Sequence, residues 1–102
     1  MAKCIAWSDK AQLQLNDILV YWDEVTSSPR YSSKLIDIFD EEVTLLAQYP
    51  FIGTATDTPN VRKQVVKDYL LFYEVSATHL TVLTIWDGRR NPDERPVKQI
   101  AR

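Results

Sequence analysis

Apolar and polar positions alternate with two different periods along this chain, and the change of period marks out its elements. Lys3 to Trp7 is a short run, KCIAW, with Ile5 and Trp7 on one side and Cys4 and Ala6 on the other, which predicts a strand. The period then lengthens. Ala11, Leu15, Ile18, Leu19 and Trp22 recur as a single helical stripe, with Asp17, Asp23 and Glu24 off it. Ser8 fits the N-cap of this helix, because its hydroxyl can accept from the free N–H groups of the first turn. Asp9 suits the positive helix end. A stop at Thr26-Ser27-Ser28-Pro29 separates it from a second stripe, Leu35, Ile38, Phe39, Val43 and Leu46. Ser28 is placed to cap that helix with Pro29 at its first position, where a missing N–H costs nothing, and Pro50 ends it. Two amphipathic helices joined by a short link form an αα-hairpin.

Beyond Pro50, FIGTATDTPN (Phe51 to Asn60) reads as a loop punctuated by Gly53 and Pro59. RKQVVK (Arg62 to Lys67) predicts a short strand, with a tight turn at Asp68. The stretch Tyr69 to Arg90 then organises the rest. Its two apolar runs, YLLFYEV and HLTVLTIW, are rich in aromatic and β-branched residues and are separated by Ser76-Ala77-Thr78, which predicts a hairpin. Along the first run Tyr69, Leu71, Tyr73 and Val75 share a face opposite Leu70 and Phe72. Strict alternation along the second places Leu80, Val82, Thr84 and Trp86 opposite Thr81, Leu83 and Ile85. Both faces of the hairpin therefore carry apolar groups. The helices can cover one of them; the other must meet a groove, the C-terminal tail or a partner. The chain leaves through Asp87-Gly88 into Arg89-Arg90. Residues 91–102, NPDERPVKQIAR, read as an extended tail. The expected architecture is a single α+β domain over residues 1–102, ordered β-α-α-β-β-β, with the first strand and the helical hairpin on one face of a small, mainly antiparallel sheet.

Composition narrows the function classes. With 102 residues, 45% hydrophobic and 25% charged, the chain fits one globular domain. MAKCIAWSDK lacks the apolar core of a signal peptide, and no run approaches a membrane span, so a cytoplasmic protein is expected. Cys4 is the only cysteine and His79 the only histidine. Cys4 is expected to pack within the first strand and His79 to be exposed beside the hairpin turn. One of each supplies neither a His/Cys zinc cluster nor a histidine-based triad, and no metal or cofactor is expected. The charge is unevenly spread. Residues 1–60 hold 4 Lys/Arg and 9 Asp/Glu, whereas residues 61–102 hold 8 and 5. The helical half is acidic and the hairpin half basic, so the basic half can attract an anionic partner. The net charge of −2 argues against indiscriminate nucleic-acid binding.

The element order, with LAQYPFIG closing the second helix, VRKQVVKDYLLFYEV in the middle and VLTIWDGRRNP near the end, resembles the RelE/ParE toxin superfamily of bacterial toxin–antitoxin modules. The resemblance spans nearly the whole chain, and its most specific pieces are Arg62 to Val75 and Trp86 to Arg90. It implies a small toxin held silent by a cognate antitoxin, which lays an extended or helical segment across the sheet and the helical hairpin. It also implies one of two activities. The ParE-like branch poisons DNA gyrase by binding it; the RelE-like branch cleaves messenger RNA on the ribosome.

Metal-free RNA cleavage needs a proton acceptor, cations around the crowded phosphate and a proton donor for the leaving oxygen. Lys63, Lys67 and Arg90 would be the catalytic set in the RelE-like reading. The third-strand arginine of that pattern is Leu70 here, and the tail has no tyrosine. The ParE-like pattern has an arginine opening the second strand, a tyrosine inside the third and basic residues after the fourth. Arg62, Tyr73 and Arg89-Arg90 match it. The residues expected to contact a target or the antitoxin are Arg62, Lys63, Tyr73, Trp86, Arg89 and Arg90. The arginine pair is the sharpest candidate, since guanidinium groups pair bidentately with carboxylate or phosphate. A third reading is an inactive family member acting only as an interaction module.

Overall fold

The computed structural model describes residues 2–88. The elements run β1 (Cys4–Trp7), α1 (Asp9–Thr26), α2 (Arg30–Gln48), β2 (Thr54–Ala55), β3 (Val61–Val66), β4 (Tyr69–Val75) and β5 (His79–Asp87). The five strands form one sheet in the order β1-β5-β4-β3-β2. Only β1–β5 is parallel; the other pairings are antiparallel. The hairpin β4–β5 is thus the centre of the sheet, and the α+β order expected from the pattern is the one observed. β2 is the addition: two residues of the expected loop pair with Arg62 and Lys63 as a short edge strand.

The helices form where the stripes place them. The Ser8 hydroxyl accepts from Ala11 N–H at 3.0 Å, capping α1. Ser27 ends that helix in the left-handed region, at φ 54°. α2 starts one residue later than Ser-Pro predicts: Pro29 is its N-cap and makes no side-chain cap bond, while the Ser28 hydroxyl accepts from Arg30 N–H at 3.2 Å just before the helix. The two helices are also tied by Ser32, whose hydroxyl donates to the Asp23 carboxylate.

The core lies between this helical pair and one face of the sheet. Ala11, Leu35, Phe39, Val43 and Leu46 meet Val66, Tyr69, Leu71, Tyr73, Leu80, Val82 and Ile85, with Leu15, Ile18, Leu19, Trp22 and Ile38 packed at its margin. The Trp22 indole N–H donates to the Tyr69 hydroxyl at 2.7 Å, which satisfies a polar atom that α1 carries into apolar surroundings.

The facing of β5 differs from strict alternation. The register with β4 shifts between Phe72 and Tyr73: Tyr73 pairs with Val82, but Phe72 pairs with Thr84. Leu83 is the extra residue of a bulge, and a single extra residue exchanges the faces of everything after it. Ile85 therefore joins Leu80 and Val82 against the helices. Thr84 and Trp86 pair with Phe72 and Leu70 on the far side.

That far side is also less open than the apolar pattern implies. Phe72, Thr84 and Val61 are buried, and Val65, at 67%, is a large apolar residue of it that stands widely exposed. Cys4 departs from expectation too: it is exposed rather than packed, because β1 is an edge strand paired only with β5. His79 is exposed, as expected.

The β5 backbone continues past the end of β1 and needs other partners there. Ser8 N–H donates to Val82 C=O at 2.9 Å, and the Ser8 hydroxyl donates to Leu83 C=O at 2.7 Å. Gln14 Oε1 accepts from Ile85 N–H at 2.8 Å and from the Thr84 hydroxyl at 2.9 Å. Helix α1 thus closes the sheet edge that β1 leaves open.

Candidate functional site

Arg62 and Tyr73 are register partners across β3 and β4. The same alternation that puts Tyr73 in the core turns Arg62 toward the helix side. From there both side chains reach the loop between α2 and β2. The Tyr73 hydroxyl donates to Pro50 C=O at 2.7 Å and accepts from Gly53 N–H at 3.1 Å. Arg62 Nε donates to Gly53 C=O at 2.8 Å. Its guanidinium lies 5.2 Å from the centre of the Phe51 ring, a cation–π distance. Burial pushes the Tyr73 phenol above its ordinary value, with the Gly53 N–H and Arg62 acting in the opposite sense. With its proton given to Pro50 C=O and its oxygen taken by Gly53 N–H, the phenol is a structural tie.

Lys63 pairs with Phe72, and Trp86 with Leu70. Both therefore belong to the far face, two rows apart. Between α1 and the end of β5, Trp86 lines a cleft of about 590 Å³ with Gln14, Asp17, Ile18, Tyr21, Tyr69, Ile85 and Asp87. It also borders a smaller cleft of about 270 Å³ beside Val65, Lys67 and Gly88. Among the described residues Trp86 Nε1 is buried without a hydrogen-bond partner. Lys67 sits in the β3–β4 turn in the left-handed conformation, at φ 56°, close to where the chain leaves β5. Gly88 N–H donates to Asp68 C=O at 2.7 Å, which fixes the exit of β5 against that turn. A side chain on Gly88 would put its Cβ 2.7 Å from the Asp68 carbonyl oxygen.

The six expected contact residues thus separate into groups. Lys63 and Trp86 share the far face, with Lys67 of the expected catalytic set at its end. Arg62 and Tyr73 face the helices, one residue along from the Lys63–Phe72 row and about 10 Å along the strands from the Trp86 row. Arg89 and Arg90 lie outside the described residues. Sequence reasoning missed the surface that Arg62 and Tyr73 hold in place. Tyr49, Phe51 and Ile52 are exposed beside it, Phe51 at 70%. The apolar residues around Pro50 in LAQYPFIG were its only sequence signal.

Residues 5–92 match the family described as the ParE toxin of type II toxin-antitoxin systems, parDE. The chain belongs to the ParE toxin family. It is therefore a ParE-like member of the wider RelE/ParE superfamily. Among solved structures it is similar to a chain of a chromosomal ParDE toxin–antitoxin system from P. aeruginosa, with a TM-score of 0.69 and 21% identity. The likeness covers 84% of this chain and 96% of that one, and it shows a shared fold. No curated protein matches the sequence. The matched range includes residues 86–90. Among the described residues no helix is long and apolar enough to cross a membrane.

Proposed function

We propose that this ParE-family toxin arrests growth by binding a protein target, DNA gyrase, and that a cognate antitoxin silences it. The contact surface is the far face of the sheet with its exit: Lys63, Trp86, Arg89 and Arg90. Arg62 contributes from the loop side, and Tyr73 acts by holding that loop. The observation that carries binding over RNA cleavage is the state of the β4 tyrosines. The Tyr73 hydroxyl donates to Pro50 C=O, and Tyr69, which accepts from Trp22, lies with Tyr73 on the helix side of β4, so neither phenol is turned to the face that carries Lys63. Cations and an indole without an acid partner suit recognition of an acidic protein surface better than proton transfer.

Induction of the toxin with and without its neighbouring gene tests the reading. Growth arrest with a DNA-damage response and intact messenger RNA is the expected result, relieved by the neighbour and lost in the Arg89→Ala/Arg90→Ala double variant. Codon-positioned cleavage of translated messages would transfer the protein to the ribonuclease reading with Lys63, Lys67 and Arg90. A fully toxic double variant would move the site elsewhere. Absence of arrest would leave an interaction module.

A further inference from the structure

At the end of the sheet remote from Trp86, a cleft of about 490 Å³ opens between the β2–β3 connection and the β4–β5 turn. Its floor and rim include Val61, Val75, Pro59 and Phe51, and its charged lining residues are Lys3 and Arg62. No carboxylate lines it among the described residues. Lys3 Nζ donates to Ala77 C=O at 3.1 Å, which anchors the ammonium at the cleft wall while leaving it two further protons. Arg62 is held by Gly53 and Phe51 carbonyls through Nε and one terminal nitrogen, so its position is set before any ligand arrives. The Phe51 ring lies 5.2 Å from the Arg62 guanidinium and yet is 70% exposed. An exposed aromatic ring beside two anchored cations is favourable to cover.

We propose that this cleft is a second docking site, separate from the far face, for an acidic-apolar segment of a partner protein. A carboxylate side chain enters between Lys3 and Arg62, and a neighbouring apolar side chain covers the exposed Phe51 ring. The charge lining selects an anion, and the apolar rim selects a peptide over a free small anion. The net negative charge of the whole chain disfavours nucleic acid at the same place.

The test titrates the isotopically labelled full chain with a short synthetic peptide alternating glutamate and leucine, and with its lysine–leucine counterpart. The glutamate peptide should bind saturably and shift the amides of Lys3, Val61 and Val75 to Ala77, and the lysine peptide should not. Lys3→Glu and Phe51→Ser alter exposed parts of side chains and should each weaken binding about tenfold, with unchanged thermal unfolding. Unchanged affinity in both variants, shifts centred on Lys63 and Trp86, or no saturable binding would overturn the proposal. Growth arrest is measured separately with the arginine variants, so failure here is distinguishable from failure of the toxin reading.

Discussion

Tyr73 and Arg62 hold the two peptide units that flank Gly53: the phenol accepts from Gly53 N–H, and the guanidinium donates to Gly53 C=O. The loop that follows α2 is thereby fastened to the centre of the sheet by two side chains that are partners across a strand pair. Replacing Tyr73 by Phe leaves the buried Gly53 N–H and the Pro50 carbonyl without that partner. The expected cost is about 1–3 kcal/mol in urea unfolding, the range for buried groups left unsatisfied. An unchanged midpoint would mean that water replaces the phenol.

The same phenol makes stability depend on alkaline pH. Its folded pKa is raised by burial, so the unfolded chain releases this proton first, from about pH 10 upward. The contribution is complete below that value and is lost as pH rises through the folded pKa. Unfolding midpoints followed from about pH 8 to about pH 11.5 should fall more steeply in the wild type than in Tyr73→Phe. Parallel curves would place the alkaline loss in other groups.

Gly53 is required for closeness. A Cβ there would lie 2.4 Å from the Tyr73 hydroxyl and 2.7 Å from the Lys63 carbonyl oxygen. Gly53→Ala should cost about 1–3 kcal/mol by overpacking. Adding Tyr73→Phe should recover only part of the loss, because the Lys63 contact is with backbone. Full recovery in the double variant would show that the backbone yields.

Gln14 substitutes for a strand. Its side-chain oxygen receives Ile85 N–H just past the bulge, where β1 no longer reaches. Gln14→Ala should accelerate hydrogen exchange at Ile85 and lower stability by about 1–3 kcal/mol, while exchange at Leu80, inside the β1–β5 ladder, stays slow. Equal acceleration at both would mean that the sheet opens as a unit.

The sequence by itself determined both helices, the strands other than the two-residue β2, and their order. Each of these follows from local chemistry: Ser8 as a cap, apolar stripes at helical spacing, Ser76-Ala77-Thr78 between two β-rich runs. It also carried the family, in the Arg62–Val75 and Trp86–Arg90 segments. Only the tertiary structure decided which side of β5 faces the helices, because the bulge at Leu83 is a matter of register with β4 and leaves no mark in the alternation. It likewise turned Arg62 from an expected contact residue into one that also fastens a loop, and sealed the hydroxyl of Tyr73. Both outcomes arise from Pro50 and Gly53, distant in sequence, being folded against the sheet. A side chain's chemistry is written in its identity, but whether that chemistry faces a partner or the protein's own backbone depends on contacts that close only when the chain folds.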